Sequence, residues 1–222
     1  MNTHDVLGTL IEMPVRVREA RAAMALFSVD AARAQDTIDY SGLRIQKIRP
    51  GRGLCALIFV RYEDGDLGPY NEFGVVFPVS SGVFIHRLPV DGEFTMAAGR
   101  QIWGFPKELA DFDVSFGRTF DGRLRQNGTE VLRLELGAAL PAPGRLFSRP
   151  LAAFSCLDGV TRSTNWTMTP GTVRTRPGGA LLTLGDHPLA RELARSSLSR
   201  HALLTTHMPS LRMEFGDAVR VS

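Results

Sequence analysis

The sequence is almost without lysine. Of its 26 basic residues only Lys47 and Lys107 are lysines, so its positive charge rests on arginine. Arginine stays protonated in proteins, whereas a desolvated lysine can lose its proton and act as a nucleophile or form an imine. Other scarcities exclude whole classes. The two cysteines, Cys55 and Cys156, sit singly in apolar segments, which leaves no disulfide framework and no zinc-binding Cys pair. The five histidines never fall at metal-ligand spacing, so neither a metal nor another cofactor is expected. No apolar run approaches the roughly 18 residues of a membrane span, and Met1 to Met13 carries Asp5 and Glu12 with no basic start. A soluble, cytoplasmic protein is the expectation, with no membrane partner. Net charge is +3, but the arginines are interleaved with acids along the chain, so no nucleic-acid partner is expected. A phosphate-binding loop and a Gly-x-Ser-x-Gly elbow are both missing.

What is present is an ordinary globular composition, 44% hydrophobic and 22% charged over 222 residues, with no compositional break. One domain spanning residues 1–222 is expected. Its pattern is mainly β. Val15 and Val17 alternate with Arg16 and Arg18, and a strand continuing to Phe27 is expected, although the alanine-rich middle also allows a helix; Ser28 then suits the N-cap of a short helix. Leu43 to Ile48 predicts a short strand and Leu54 to Val60 a continuous apolar one. Tyr70 to Val79 and Val83 to Val90 predict a hairpin about Ser80-Ser81-Gly82. Phe94, Ala97, Ala98 and Ile102 fall at helical spacing.

Further strands are predicted at 109–116, 123–126 and 131–136, the last two joined by the hairpin signal Asn127-Gly128. The remaining predicted strands are 145–157, 161–168, 173–176, 180–184, 202–206 and 211–215, with a helix capped by Asp186. These short strands and three short helices give an α+β fold, mainly antiparallel β, most simply a closed barrel that hides its edges, with the helices peripheral.

Lys107 lies in Gly99-Arg100-Gln101-Ile102-Trp103-Gly104-Phe105-Pro106-Lys107-Glu108. Ile102, Trp103 and Phe105 are apolar, and Gly104 and Pro106 turn the chain abruptly. The residues alone allow either a reactive lysine in an apolar pocket or an ordinary turn lysine.

The run from Ala98 to Leu109 resembles the motif of the acetoacetate decarboxylase family, in which an aromatic-Pro-Lys ending delivers the Schiff-base lysine. The match falls on Lys107. Leu67 to Gly74, followed by Val75 to Val79, is similar to the family's strand with an active-site glutamate, which would be Glu72. Arg18-Glu19 with Asp30 to Arg33 is similar to its first strand and helix, which would make Arg18 the active-site arginine. The resemblance covers the first half of the chain. It implies a cofactor-independent carbon–carbon lyase of the decarboxylase type, a keto-acid substrate, a β-barrel and a homo-oligomer.

Catalytic roles would fall to Lys107, Glu72 and Arg18, with Arg18, Trp103 and Phe105 binding substrate. In this reading a neutral Lys107, activated by burial beside Trp103 and Phe105, forms an iminium that stores the electrons released when a C–C bond breaks. Two positions depart from the family pattern. Glu108 replaces a second lysine, and Leu57 stands where another active-site glutamate is aligned. The alternatives are therefore the superfamily's aldolase or dehydratase chemistry, or a non-catalytic barrel that binds a small molecule.

Overall fold

The computed structural model describes residues 2–144, 148 and 150–221. A hairpin of β1 (Thr3–Val6) and β2 (Thr9–Glu12) precedes β3 (Val15–Asp30), α1 (Ala31–Ile38), β4 (Arg52–Gly65), β5 (Tyr70–Val79), β6 (Gly82–Val90) and α2 (Glu93–Ala98). Four short strands follow, β7 (Lys107–Leu109), β8 (Asp111–Phe116), β9 (Phe120–Gln126) and β10 (Thr129–Leu136), and then β11 (Leu140–Ala142). The chain finishes with β12 (Pro150–Leu157), β13 (Val160–Pro177), β14 (Ala180–Leu184), α3 (Pro188–Arg195) and β15 (Leu204–Arg220).

The barrel closes through strands distant in sequence. β6, β5, β4, β3 and β15 pair antiparallel in that order, β15 pairs antiparallel with β13, and β13 with β12. β12 then lies parallel to β6, which completes a ring of seven strands with no free edge. The expected mainly antiparallel barrel with short peripheral helices is what forms.

β8, β9, β10 and β14 build a second, four-stranded sheet against the outside of β4 and β5. Leu57, Phe59, Phe73 and Phe77 from the barrel wall meet Phe120, Leu124, Leu132 and Leu134 there in one buried cluster. Because successive strand side chains point to opposite faces, β4 and β5 are buried twice. One face fills this outer core and the other faces the barrel interior. That double burial explains why Leu54 to Val60 reads as an unbroken apolar run.

Several boundaries differ from the sequence reading. No strand forms at 43–48, where only the bridge Ile45–Val79 occurs, with Arg49–Arg52 just beyond it. Asp30 rather than Ser28 caps α1, its carboxylate accepting from the amides of Ala32 and Arg33. His187 rather than Asp186 caps α3. The predicted segments 161–168 and 173–176 are one strand, β13, and 202–206 and 211–215 are one strand, β15, each absorbing its Gly or Pro at a register shift. The start predicted at Arg145 lies outside the described residues, and β12 is described from Pro150.

Helix α3 is held by Glu192, which accepts from His86 Nε2 at 2.6 Å and Arg87 Nη2 at 2.9 Å. With Nε2 donating, His86 Nδ1 is free to accept from the Tyr40 hydroxyl at 3.0 Å. Cys55 and Cys156 are both buried free thiols. Among the described residues no helix is long and apolar enough to cross a membrane, and no group of three His, Cys, Asp or Glu side chains could hold a metal.

Candidate active site

Lys107 reaches the barrel interior through a specific local path. After α2, residues Gly99–Trp103 form a π-helical turn that ends at Gly104 in the left-handed region, φ 63°. The turn reverses the chain so that β7 pairs parallel with β6, Lys107 opposite Leu88. On so short a strand alternation decides direction: Lys107 points inward at 2% exposure while Glu108 points outward and accepts from Gln126 Nε2 at 3.1 Å. Gly99 leaves room for the lysine stem. A Cβ there would lie 2.5 Å from Lys107 Cδ.

The ammonium is held by three groups. Glu72 Oε2 on β5 lies 2.9 Å from Lys107 Nζ, and Thr95 Oγ1 on α2 accepts at 3.0 Å. The third is the face of Tyr70, whose ring centre is 4.8 Å from Nζ. Glu72 is itself positioned by Tyr62, whose hydroxyl donates to Oε1 at 2.8 Å. The rings of Tyr62 and Tyr70 stack at 4.1 Å. Burial raises both phenol pKa values, and the Glu72 carboxylate adds to each rise, so both hydroxyls stay protonated.

Burial pulls Lys107 toward the neutral amine, but Glu72 and Tyr70 outweigh it and the pKa is raised. The resting lysine is therefore an ammonium in a buried ion pair, not the neutral amine that burial beside Trp103 and Phe105 would have produced alone. Release of its proton has an obvious receiver, because Oε1 of Glu72 is occupied by Tyr62 and Oε2 faces Nζ.

These groups open onto a cavity of about 250 Å³ inside the barrel. Trp103 and Phe105 form part of its wall, stacked on each other at 5.5 Å, with Trp103 Nε1 donating to the Gly216 carbonyl at 2.8 Å. Every barrel strand contributes to the lining, and nearly all contributions are aliphatic, methionine or aromatic.

Arg18 is not among them. The structure corrects that assignment, because Val15 and Val17 on β3 turn inward and the strand's alternation sends Arg18 outward. There it is half exposed and bidentate to Asp64 at 2.8 and 2.7 Å, with a further bond to Asp66 at 2.6 Å. Leu57 likewise faces the outer core. The cavity side of β4 presents Ala56, Ile58, Val60 and Tyr62, and none is an acid.

Sequence reasoning missed Tyr62, Tyr70 and Thr95. A signal existed for the first two, since two of the chain's three tyrosines flank the acidic turn just before Glu72. Thr95 carried none beyond its place on the helix that delivers the lysine.

A closed β-barrel enclosing an apolar cavity, with one lysine and one carboxylate paired at its wall, defines a class of barrel that can hold a carbonyl compound against an amine. The chain matches the family model described as acetoacetate decarboxylase (ADC) over residues 7–220, and it belongs to that family. It is 37% identical over 78 residues to the acetoacetate decarboxylase of Acidiphilium cryptum, covering 30% of this chain and 32% of that protein. Over 102 residues it is 30% identical to acetoacetate decarboxylase 1 of Mesorhizobium japonicum, covering 44% and 39% of the two chains. These alignments thus span less than half the length of either relative. Among solved structures, the acetoacetate decarboxylase of Legionella pneumophila superposes with TM-score 0.77 at 20% identity, covering 94% of this chain and 87% of that one. The enduracididine biosynthesis enzyme MppR complexed with pyruvate superposes with TM-score 0.71 at 16% identity, covering 96% and 92%. At such identities the superpositions speak for the fold.

Proposed function

We propose that the protein is a cofactor-independent carbon–carbon lyase that works through an imine on Lys107, with Glu72 as its proton carrier. The observation that carries this reading is the buried 2.9 Å contact between Lys107 Nζ and Glu72 Oε2 at the wall of an apolar cavity. When a carbonyl compound displaces water, Nζ passes one proton to Oε2 and attacks the carbonyl carbon. The carbinolamine then loses its hydroxyl as water with the proton returned by Glu72, leaving an iminium. A bond β to the iminium carbon breaks, and its electron pair moves onto nitrogen to give an enamine. Protonation at carbon and hydrolysis of the imine restore the lysine. Tyr62 fixes Glu72 in place throughout, and the Tyr70 face stabilises the cationic nitrogen.

The leaving fragment distinguishes two branches. Loss of CO₂ makes the protein a β-keto acid decarboxylase, as the family name suggests. Loss of an aldehyde makes it an aldolase; in a dehydratase the α C–H proton goes to Glu72 to give the enamine, which then expels the β-hydroxyl as water with that proton returned. The second branch is favoured by the lining, which among the described residues offers a substrate carboxylate no arginine, since Arg18 is outside. The family resemblance adds a homo-oligomer to either branch, and the sequence reading a cytoplasmic location.

Having only two lysines makes the test direct. Incubation with a ketone and cyanoborohydride, followed by peptide mass spectrometry, should place the reduced adduct on Lys107 and leave Lys47 unmodified. Lys107→Arg should give none. Absence of any adduct on Lys107 from pH 6 to 9 would leave a non-catalytic binding barrel as the reading.

A further inference from the structure

We infer that the keto acid joined to Lys107 carries a hydrocarbon chain of several carbons on the side of its ketone away from the carboxylate, and that this chain lies along the inner faces of β3 to β6; this rests on the imine reading above. The Lys107–Glu72 pair stands toward one end of the cavity. Glu72 is the register partner of Val60, and Tyr62 pairs with Tyr70 one inward position nearer the β4–β5 turn. Gly65 to Gly68 of that turn also line the cavity, and Asp66 among them is exposed. The reacting pair therefore lies near the solvent side.

Away from the turn, the cavity continues between hydrocarbon side chains. Inward positions on β4 run on through Ile58 to Ala56, and on β5 through Val76 to Pro78. Neighbouring strands add Met24, register partner of Ile58, and Ile85, register partner of Val76. The strand from Glu72 to Pro78 is about 20 Å long at about 3.3 Å per residue, or about 14 Å along the barrel axis for a tilt of about 45°.

Volume agrees with depth. A protein cavity of about 150 Å³ walled by aliphatic and aromatic residues holds benzene, about 25 Å³ per carbon. At that scale about 250 Å³ takes roughly ten heavy atoms, more than a keto acid with only a methyl group provides. Such a short substrate would leave the end remote from Lys107 either void, with its wall lacking contacts, or wetted by water facing hydrocarbon and a thioether. A hydrocarbon chain fills that end at no desolvation cost, and the unbranched Met24 side chain adapts to its shape. One branch of the ketone ends in the carboxylate, so the other is free to run down these strands. It takes no part in bond breaking. Its burial holds the carbonyl carbon against Lys107 Nζ, which is where binding energy from a remote group is useful.

Two keto acids that share a carboxylate and differ in chain length test this on the intact protein. Pyruvate and 2-oxohexanoate are each titrated at pH 8 with cyanoborohydride. The concentration giving half-modification of Lys107 is read by mass spectrometry and corrected for the relative rates of the two compounds with free lysine. The longer acid has three more methylenes and should reach it at a concentration about 60-fold lower, at about fourfold per methylene. Ala56→Leu, and separately Val76→Leu, places side chain where the substrate chain would lie and should bring the two acids within about fivefold. Equal trapping by the wild type, a preference for pyruvate, or full discrimination kept in both variants would overturn the chain site while leaving the imine standing. Failure of both keto acids to modify Lys107 would overturn the imine reading and this inference with it.

Discussion

The Lys107–Glu72 pair makes a prediction whose sign reverses with pH. Removing either partner leaves the other charged group in an apolar wall, which typically costs about 3–5 kcal/mol. The survivor can escape by becoming neutral, and that escape sets a ceiling. From ordinary pKa values, deprotonating a lysine costs about 4.6 kcal/mol at pH 7 but only about 1.9 at pH 9. Protonating a glutamate costs about 3.7 kcal/mol at pH 7 and about 1 at pH 5. Glu72→Leu should therefore be strongly destabilising at pH 7 and mildly so at pH 9. Lys107→Met should be strongly destabilising at pH 7 and mildly so at pH 5.

The wild-type pair does not blur the comparison. The Lys107 pKa is raised, so the stability this group contributes is complete below its unfolded value of 10.5 and is lost only as pH climbs past that. The double variant buries no charge and should lie within about 2 kcal/mol of wild type, or above it, giving a large non-additive coupling. Urea unfolding of the four proteins at pH 5, 7 and 9 reads all of this. If the two single variants show the same pH dependence, or if their effects add in the double variant, the buried ion pair is not what holds the site.

Other perturbations follow from the same geometry. Arg18→Ala should leave the rate of Lys107 modification within about twofold, because its partners Asp64 and Asp66 hold it on the outside of β3; a loss beyond tenfold would return it to the site. Glu108→Lys should leave the pH profile of adduct formation unchanged, since residue 108 faces away from the cavity. Gly99→Ala should push the lysine stem aside, slowing adduct formation more than about tenfold at an overpacking cost of about 1–3 kcal/mol, read by trapping rate and urea midpoint. Glu192 is half-buried, which alone would raise its pKa, but His86 and Arg87 hold it at about 2. Its stabilisation is thus present above its ordinary value of 4.5 and lost as pH falls toward 2. Glu192→Gln should flatten the acid side of the stability profile, and hydrogen exchange in α3 would show whether that helix loosens first.

How much of this could be read from the residues depended on whether one face or both were buried. Where one face meets water, alternation is informative: Val15 and Val17 against Arg16 and Arg18 already said that the arginines point out. Assigning Arg18 to the site set that pattern aside in favour of a family resemblance. Where both faces are buried, alternation disappears from the sequence. Nothing in Leu54 to Val60 tells which residues face the cavity and which the outer sheet, so Leu57 was matched to a position inside the barrel although its side chain lies outside. The second sheet was hidden for a related reason. The segment 109–116 reads as one strand, and only the structure divides it at Ala110, where the chain leaves β6 and joins β9.

Lys107 was legible because scarcity is independent of the fold, and Glu108 became harmless once alternation on β7 fixed its direction. What no single stretch could reveal was the charge count of the cavity, since its lining is drawn from all seven barrel strands, dispersed from Val15 to Phe215. That count, one cation already paired and no arginine among the described residues, bears on the leaving group more directly than the lysine motif does. An imine on Lys107 can expel CO₂ or an aldehyde with the same electron flow. The first demands that an anion be brought beside Glu72, while the second brings only a hydroxyl to a carboxylate ready to take its proton.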